Sequence, residues 1–313
     1  MSLPLWTPRW PEWRTPSQRL LRAMLNELAG LPLTGGESSL RLSPTGAEHG
    51  RWLAGFSVQG VSRERLMDLP TRLEMPAQSA ERFRTEWPRA RQIGLAVEQT
   101  EERVVAKVYL EYDLPAPDVR SLPAQQRQAA LHIESFKWRV DTSADQQASM
   151  TNTESTEYWR LSGLDGLTTL QILRDTESVA PRLQAVYAGV AHVLQNALRA
   201  APGWQGHRLL LVRDPLGRRS GVGVRFYGSE CRVGAVVETF STLLDAWGLD
   251  TQCWSEPSSL WAEQELGWLH AGLDAKSQPY LIVYGALNSA DTRAVLSHAG
   301  SARHELRAFL QEN

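Results

Sequence analysis

The stretch Val105-Ala106-Lys107-Val108-Tyr109-Leu110-Glu111 alternates apolar and polar side chains without interruption. Alternate side chains of a β-strand point to opposite faces, so the pattern predicts a strand that is apolar on one face. Lys107, Tyr109 and Glu111 then share the other face. Residues 93–99 precede this strand across a charged turn, and the two runs together predict a β-hairpin.

Five such hairpins alternate with helical patterns along the chain. The predicted strand pairs are 39–43 with 52–59, 93–99 with 104–113, 133–141 with 157–164, 208–213 with 221–227, and 268–273 with 280–285. The spacing of apolar residues predicts helices at 17–29, 77–89, 123–131, 178–200, 233–247 and 290–310. The polar link 142–156 is predicted to be a long flexible loop.

A repeat of roughly 60 residues therefore organises the chain. Ten antiparallel strands, each apolar on one face, predict an α+β fold in which the sheet closes into a β-barrel surrounded by helices. The polar faces would then line a lumen wide enough for a ligand. An open α+β sandwich of two sheets is the alternative. We expect one domain over residues 1–313, with 1–16 as an N-terminal arm rich in Trp and Pro.

Composition excludes several classes of protein. The 33 basic and 35 acidic residues give a net charge of −2, so no global field favours nucleic acid or an anionic membrane as a partner. No apolar run is long enough for a transmembrane helix, and no signal core is found near the N-terminus, which predicts a cytoplasmic protein. Two cysteines and seven scattered histidines give no metal-binding spacing, so no metal ligands are predicted.

The predicted lumen collects cations and tyrosines. The cations are Arg41, Lys107, Lys137, Arg139, Arg160 and Arg225. The tyrosines are Tyr109, Tyr158, Tyr227, Tyr280 and Tyr284. Neighbouring cations repel, so such a group favours an anion, and a diphosphate suits both the lysine point charge and the arginine fork. Tyrosine rings can stabilise a carbocation through their negative faces.

Three further residues are candidates for the base that removes a proton: Glu98, Glu111 and His270. For His270 a structural role is the alternative. For the whole group, the alternative is an ordinary polar barrel interior in which the cations pair with Glu98, Glu111 and other acids.

The order of αββα repeats, with the strand motifs Lys107-Val108-Tyr109 and Arg225-Phe226-Tyr227, resembles the aromatic prenyltransferases built on the ABBA barrel. Segments 104–115 and 221–248 resemble most the branch that prenylates ribosomal peptides of the cyanobactin type. The resemblance spans residues 38–287. It implies that Lys107, Tyr109, Lys137, Arg225, Tyr227 and Tyr284 bind diphosphate or shield an allyl cation.

Three positions depart from the pattern of that family. Arg41 stands where the first strand commonly carries an acid that holds the acceptor. Gly55 stands where the next strand often has a basic residue, and Ile282 stands where a lysine is frequent in the last hairpin.

The resemblance implies an enzyme that moves a dimethylallyl or geranyl group from its diphosphate to an electron-rich side chain of a peptide or a small aromatic molecule. Mg²⁺ is a candidate cofactor at the diphosphate, although the sequence has no DDxxD-like cluster. The alternative is a catalytically inactive barrel that binds a peptide or an aromatic ligand.

Overall fold

A computed structural model describes residues 24, 27–28, 30–99, 104–113, 129–139, 154–161, 164–179, 181–249 and 262–293. The strands in these ranges are β1 (Leu33–Ser43), β2 (Gly46–Ser57), β3 (Ala90–Gln99), β4 (Val104–Tyr112), β5 (Ala129–Arg139), β6 (Glu154–Leu161), β7 (Arg208–Arg213), β8 (Ser220–Arg225), β9 (Leu266–Leu273) and β10 (Pro279–Leu287). The helices are α1 (Arg63–Arg72), α2 (Ala77–Glu86), α3 (Gly166–Val179), α4 (Gln184–Ala200) and α5 (Val233–Ala246).

The ten strands form one closed antiparallel barrel. Each strand pairs with its neighbours in the sequence, and β1 closes the ring against β10, with Leu40 opposite Val283. The predicted α+β barrel is therefore confirmed, and the open sandwich is wrong. The strand ends joined within each hairpin lie at one end of the barrel, and the strand ends between successive hairpins lie at the other.

Helices cover the apolar outer face of the barrel. On one side, Val108 and Phe136 share a buried cluster with Leu69 of α1 and Phe83 of α2. On the other side, the outward residues of β7 to β10 pack against α3, α4 and α5 in a second cluster. Burial of each large side chain contributes about 2 kcal/mol, so these clusters set which face of each strand points inward.

Two predicted element bounds in the sheet are wrong. The first predicted strand, 39–43, begins too late, because β1 begins at Leu33 and includes Gly35 and Gly36. The predicted helix 123–131 overlaps β5, where Ala129 is opposite Leu161 of β6. The hydrogen bonds of the ladder override the helical preference of these last residues. Residues 123–128 lie outside the described ranges.

The helices also differ from the predicted pattern. The helix α1 is absent from the prediction because Pro70 lies inside it, yet the Ser62 hydroxyl accepts a hydrogen bond from the Arg65 amide at 3.2 Å and caps its N-terminus. The predicted helix 178–200 is two elements, since α3 ends at Val179 and a 3₁₀ turn at Pro181–Leu183 precedes α4.

The predicted helix 77–89 gives way after Glu86 to a 3₁₀ turn that contains Pro88. Most of the predicted helices 17–29 and 290–310, the arm 1–16 and most of the loop 142–156 lie outside the described residues. In the described part of the chain, no helix is both long and apolar enough to span a membrane.

Candidate active site

The inward side chains occupy three zones along the barrel axis. The first zone, here called the ion-pair end, lies beside the hairpin turns and contains Arg41, Arg51, Glu98, Lys107 and Lys137. The second, the aromatic layer, consists of Tyr109, Tyr158, His270 and Tyr284. The third, the mouth, is a cavity of about 1020 Å³ where odd-numbered strands begin and even-numbered strands end.

At the ion-pair end, the cations already have acidic partners. The carboxylate of Glu98 accepts a hydrogen bond from Lys107 and forms an ion pair with Arg51. Burial alone would raise the pKa of Glu98, but these two charges hold it well below its usual range. Glu98 is therefore an ionised structural partner, and it does not line the mouth.

The other two cations of this zone are paired in the same way. The guanidinium of Arg41 donates to Glu48 at 2.9 Å and to Asp274 at 3.0 Å. The Lys137 ammonium lies 3.1 Å from Glu154. The predicted alternative, a polar interior with internal ion pairs, thus describes this end of the barrel.

The aromatic layer crosses the middle of the lumen as a chain of ring contacts. Ring centroids are 6.3 Å apart for Tyr109 and Tyr158, 5.8 Å for Tyr158 and His270, and 5.0 Å for His270 and Tyr284. Burial, with help from nearby cations, lowers the pKa of His270 to about 3, so the imidazole is neutral at physiological pH. Tyr280 lies nearer the ion-pair end, with the Arg41 guanidinium 5.5 Å from its ring centroid.

The mouth has a wall of three arginines, Arg160, Arg208 and Arg225, here called the arginine wall. Arg208 and Arg225 are directly opposite each other on β7 and β8. Arg208 donates to the carbonyl oxygens of Gln205 and His207, and Arg225 donates to that of Gly206.

No ion pair with a carboxylate joins any of these three side chains within the described ranges. The Nε atom of Arg160 is buried and has no hydrogen-bond partner there. Burial, followed by repulsion from Arg208 and Arg225, lowers the pKa of Arg160. Three guanidinium groups beside a cavity, none of them in an ion pair with a carboxylate in the described ranges, favour an anionic ligand.

A carboxylic acid faces the same cavity from β1. Glu37 accepts a hydrogen bond from the hydroxyl of Tyr227, which follows β8. Burial raises the pKa of Glu37 to about 7, although the Tyr227 hydrogen bond opposes the rise. The first strand therefore does carry a lumenal acid, where only Arg41 was expected. The prediction missed Glu37 because the predicted strand 39–43 begins two residues after it, whereas β1 begins at Leu33.

Aromatic side chains complete the mouth. Tyr227 and Trp268 line the cavity, and the Arg225 guanidinium lies 4.7 Å from the Tyr227 ring centroid. The strand β4 adds Glu111 to the lining. The mouth thus combines three arginines, an acid with a near-neutral pKa and aromatic side chains.

The predicted site residues do not form one group. Four of them line the mouth: Glu111, Arg160, Arg225 and Tyr227. Nine others lie elsewhere in the lumen, in or beside the ion-pair end and the aromatic layer: Arg41, Glu98, Lys107, Tyr109, Lys137, Tyr158, His270, Tyr280 and Tyr284. The side chain of Arg139 is outside the described part of the structure.

The described residues contain no group of three or more His, Cys, Asp or Glu side chains that could hold a metal ion. The mouth therefore offers no set of protein ligands for Mg²⁺ among them. Magnesium at the diphosphate stays a prediction from the resemblance, and the chemistry proposed below uses only side chains of this chain.

No protein-family model matches this chain, and no curated protein sequence does. Similar solved structures include AnaPT from Neosartorya fischeri, with 13% identity over 81% of this chain and 78% of that chain and a TM-score of 0.44. NotF in complex with brevianamide F and DMSPP has 13% identity over 82% and 80%, with a TM-score of 0.49. A 6-dimethylallyl tryptophan synthase has 12% identity over 86% and 93%, with a TM-score of 0.48.

Proposed function

We propose that this barrel transfers an allyl group from its diphosphate to an electron-rich aromatic acceptor inside the mouth. The observation that carries this proposal is one cavity of about 1020 Å³ with arginines on one wall, Glu37 on another and aromatic rings between them. Allyl transfer needs each of these elements: cations for the leaving group, ring faces for the cation and an acid for the acceptor.

The arginine wall would hold the diphosphate. Its three guanidinium groups offer planar donor pairs that match phosphate oxygens, and they form no ion pair with a carboxylate in the described ranges. Binding there would relieve the repulsion among the three cations. Arg160 and Arg225 of this wall belong to the predicted diphosphate-binding set, and Arg208 is an addition to that set. Three other predicted members, Arg41, Lys107 and Lys137, form ion pairs with acidic side chains instead.

The same wall would assist the chemical step. As the bond between the allyl carbon and the diphosphate oxygen breaks, its electron pair stays on the diphosphate, and the arginines stabilise that developing charge. The allyl carbon becomes cationic, and the rings of Tyr227 and Trp268, which line the cavity, would shield it from water. The acceptor ring then supplies the electron pair of the new bond.

Glu37 would orient and activate the acceptor. In its ionised form, the carboxylate accepts a hydrogen bond from an indole N–H or a phenol O–H of the acceptor. This raises the electron density of the ring and favours attack on the allyl cation. Tyr227 holds Glu37 in place through its own hydrogen bond. An isolated aromatic molecule and an aromatic side chain of a peptide would both satisfy this arrangement.

The test is incubation with dimethylallyl or geranyl diphosphate and a panel of Trp, Tyr and peptide acceptors, analysed by mass spectrometry. We expect a mass gain of one prenyl group with release of diphosphate. Arg225→Met should abolish the product while the protein stays folded. No product with any pair, together with thermal stabilisation by an aromatic ligand alone, would instead support the inactive binding protein.

A further inference from the structure

His132 lines the mouth because of an irregularity in β5. The strand β5 pairs with β6 through Leu131 opposite Trp159 and through Ile133 opposite Tyr158, so His132 is an extra residue between them. Such a β-bulge redirects a side chain out of the regular alternation, and bulges are common next to active sites. The imidazole is thereby brought into the cavity, where its side chain is only 16% exposed.

The hydrogen bonding of His132 determines its tautomer. Its Nδ1 atom lies 3.2 Å from the carbonyl oxygen of Tyr112. A carbonyl oxygen can only accept, so in this contact Nδ1 carries the hydrogen. In the neutral ring, Nε2 therefore has the lone pair. Nε2 lies 3.8 Å from Glu111 Oε1, which leaves Nε2 open to a proton and Glu111 close enough to stabilise the imidazolium.

Charged groups from three strands face this imidazole. They are Glu111 of β4, Arg160 of β6 and Arg208 of β7. Burial lowers the pKa of His132, and the two arginines add to this, although Glu111 opposes it. The lowered pKa favours the unprotonated imidazole before the diphosphate binds. A diphosphate on the arginine wall would offset the effect of the arginines and increase the affinity of the imidazole for a proton.

We propose that His132 is the catalytic base that removes the ring proton of the prenylated acceptor, an inference that rests on the proposed function. The allyl C–O bond breaks with its electrons on the diphosphate, and a ring carbon of the acceptor forms the new C–C bond. The proton on that carbon passes to Nε2 of His132, and the C–H electron pair restores the aromatic ring. In the resulting imidazolium, Nδ1 donates to the carbonyl oxygen of Tyr112, and the protonated Nε2 lies near the carboxylate of Glu111, which stabilises the positive charge.

Other basic groups are less suitable for this step. Glu98 is held by two cations at the opposite end of the barrel, and His270 belongs to the aromatic layer. Glu37 is bound by Tyr227 and, in the proposed function, also accepts the polar hydrogen of the acceptor. His132 has an unshared electron pair at the cavity and a fixed orientation, which a proton acceptor requires.

The experiment compares wild-type protein, His132→Gln and His132→Ala, with His192→Gln on the exposed face of α4 as the matched control. The acceptor is used with hydrogen or deuterium at the ring position that becomes prenylated. We expect kcat to fall about 100-fold in His132→Gln, as is typical for loss of a general base. Loss of the base also makes proton removal slow, so this variant should show a primary deuterium isotope effect that the wild type lacks.

Addition of imidazole should restore part of the activity of His132→Ala, because the cavity has room for it, and should leave His192→Gln unaffected. Binding of dimethylallyl diphosphate should be retained in both His132 variants. If the wild type forms product but His132→Gln has neither an isotope effect nor a large loss of kcat, the assignment of the base is wrong and the proposed function stands. If the wild type forms no product with any acceptor, both are overturned.

Discussion

The hydroxyl of Tyr227 donates a hydrogen bond to the carboxylate of Glu37, a residue 190 positions earlier in the chain. Since β9 and β10 lie between β1, which contains Glu37, and β8, which Tyr227 follows, the contact reaches across the mouth of the barrel. It places an acid with a pKa of about 7 against an aromatic ring inside one cavity. That combination gives the mouth its proposed chemistry.

The raised pKa of Glu37 predicts a specific dependence of stability on pH. A carboxyl that binds its proton more tightly in the folded state contributes its full stabilisation below its ordinary pKa of 4.5, and loses it as the pH rises through about 7. The contribution is at most about 3 kcal/mol, since the side chain keeps some exposure. The unfolding free energy of the wild type should therefore decrease between pH 5 and pH 8. In Glu37→Gln this decrease should be absent.

This can be measured by urea unfolding at a series of pH values. The exposed Glu81 on α2 provides the control, and Glu81→Gln should leave the pH dependence as in the wild type. An identical pH dependence in the wild type and Glu37→Gln would show that Glu37 titrates normally.

Ionisation of Glu37 should lower stability but increase activity as the pH rises. Because the ionised carboxylate accepts the acceptor's hydrogen, kcat/KM for the acceptor should rise with pH through about 7 in the wild type. In Glu37→Gln this rise should disappear, and the remaining activity should be low at every pH. A Glu37→Gln variant that keeps the wild-type profile would place the titrating group elsewhere.

The ion pairs beside the hairpin turns are predicted to be structural. Glu98→Gln leaves Arg51 and Lys107 without their shared carboxylate in a buried site, which should cost about 3 kcal/mol of unfolding free energy. The same Glu81→Gln variant should change stability by less than about 0.5 kcal/mol, as is usual for exposed positions. A Glu98→Gln variant as stable as the wild type would contradict a structural role for this end.

Gly223 is predicted to be essential for the packing of the aromatic layer. A Cβ atom at this position would lie 2.6 Å from Nε2 and 2.7 Å from Cδ2 of His270. Gly223→Ala should therefore force the layer to shift, at a cost of about 2 kcal/mol. Gly203→Ala is the control, because its Cβ would have no neighbour within 4 Å. Equal thermal stability of the two variants would mean that the layer tolerates displacement.

The alternation in the five hairpins was sufficient to predict the barrel and the inward face of its strands, because one face of each strand must be buried against helices. It did not predict how far along the axis each side chain lies. Lys107 and Arg225 occur in similar motifs, yet Lys107 is near the start of β4 and Arg225 is the last residue of β8. They consequently lie at opposite ends of the lumen.

From the sequence alone, the distance of each residue from the hairpin turn could have predicted at which end of the lumen its side chain lies. Lys107 lies near the start of β4 and Lys137 near the end of β5, at the strand ends joined within a hairpin, whereas Arg208 begins β7 immediately after a connection between hairpins. The position of His132 had no such signal, since a β-bulge depends on the pairing of β5 with β6. The helix α1 could not be predicted from the sequence either, because Pro70 lies inside it and proline normally breaks a helix.

The most direct test of the proposed site is calorimetric titration of dimethylallyl diphosphate into the wild type, Arg208→Met, Arg225→Met and Lys137→Met. Loss of a charge-assisted contact is worth about 2 kcal/mol, so each arginine variant should bind at least about tenfold more weakly. Lys137→Met should bind as the wild type does, since its ammonium belongs to an ion pair at the opposite end. Weak binding by Lys137→Met, with wild-type affinity in both arginine variants, would contradict a diphosphate site in the mouth.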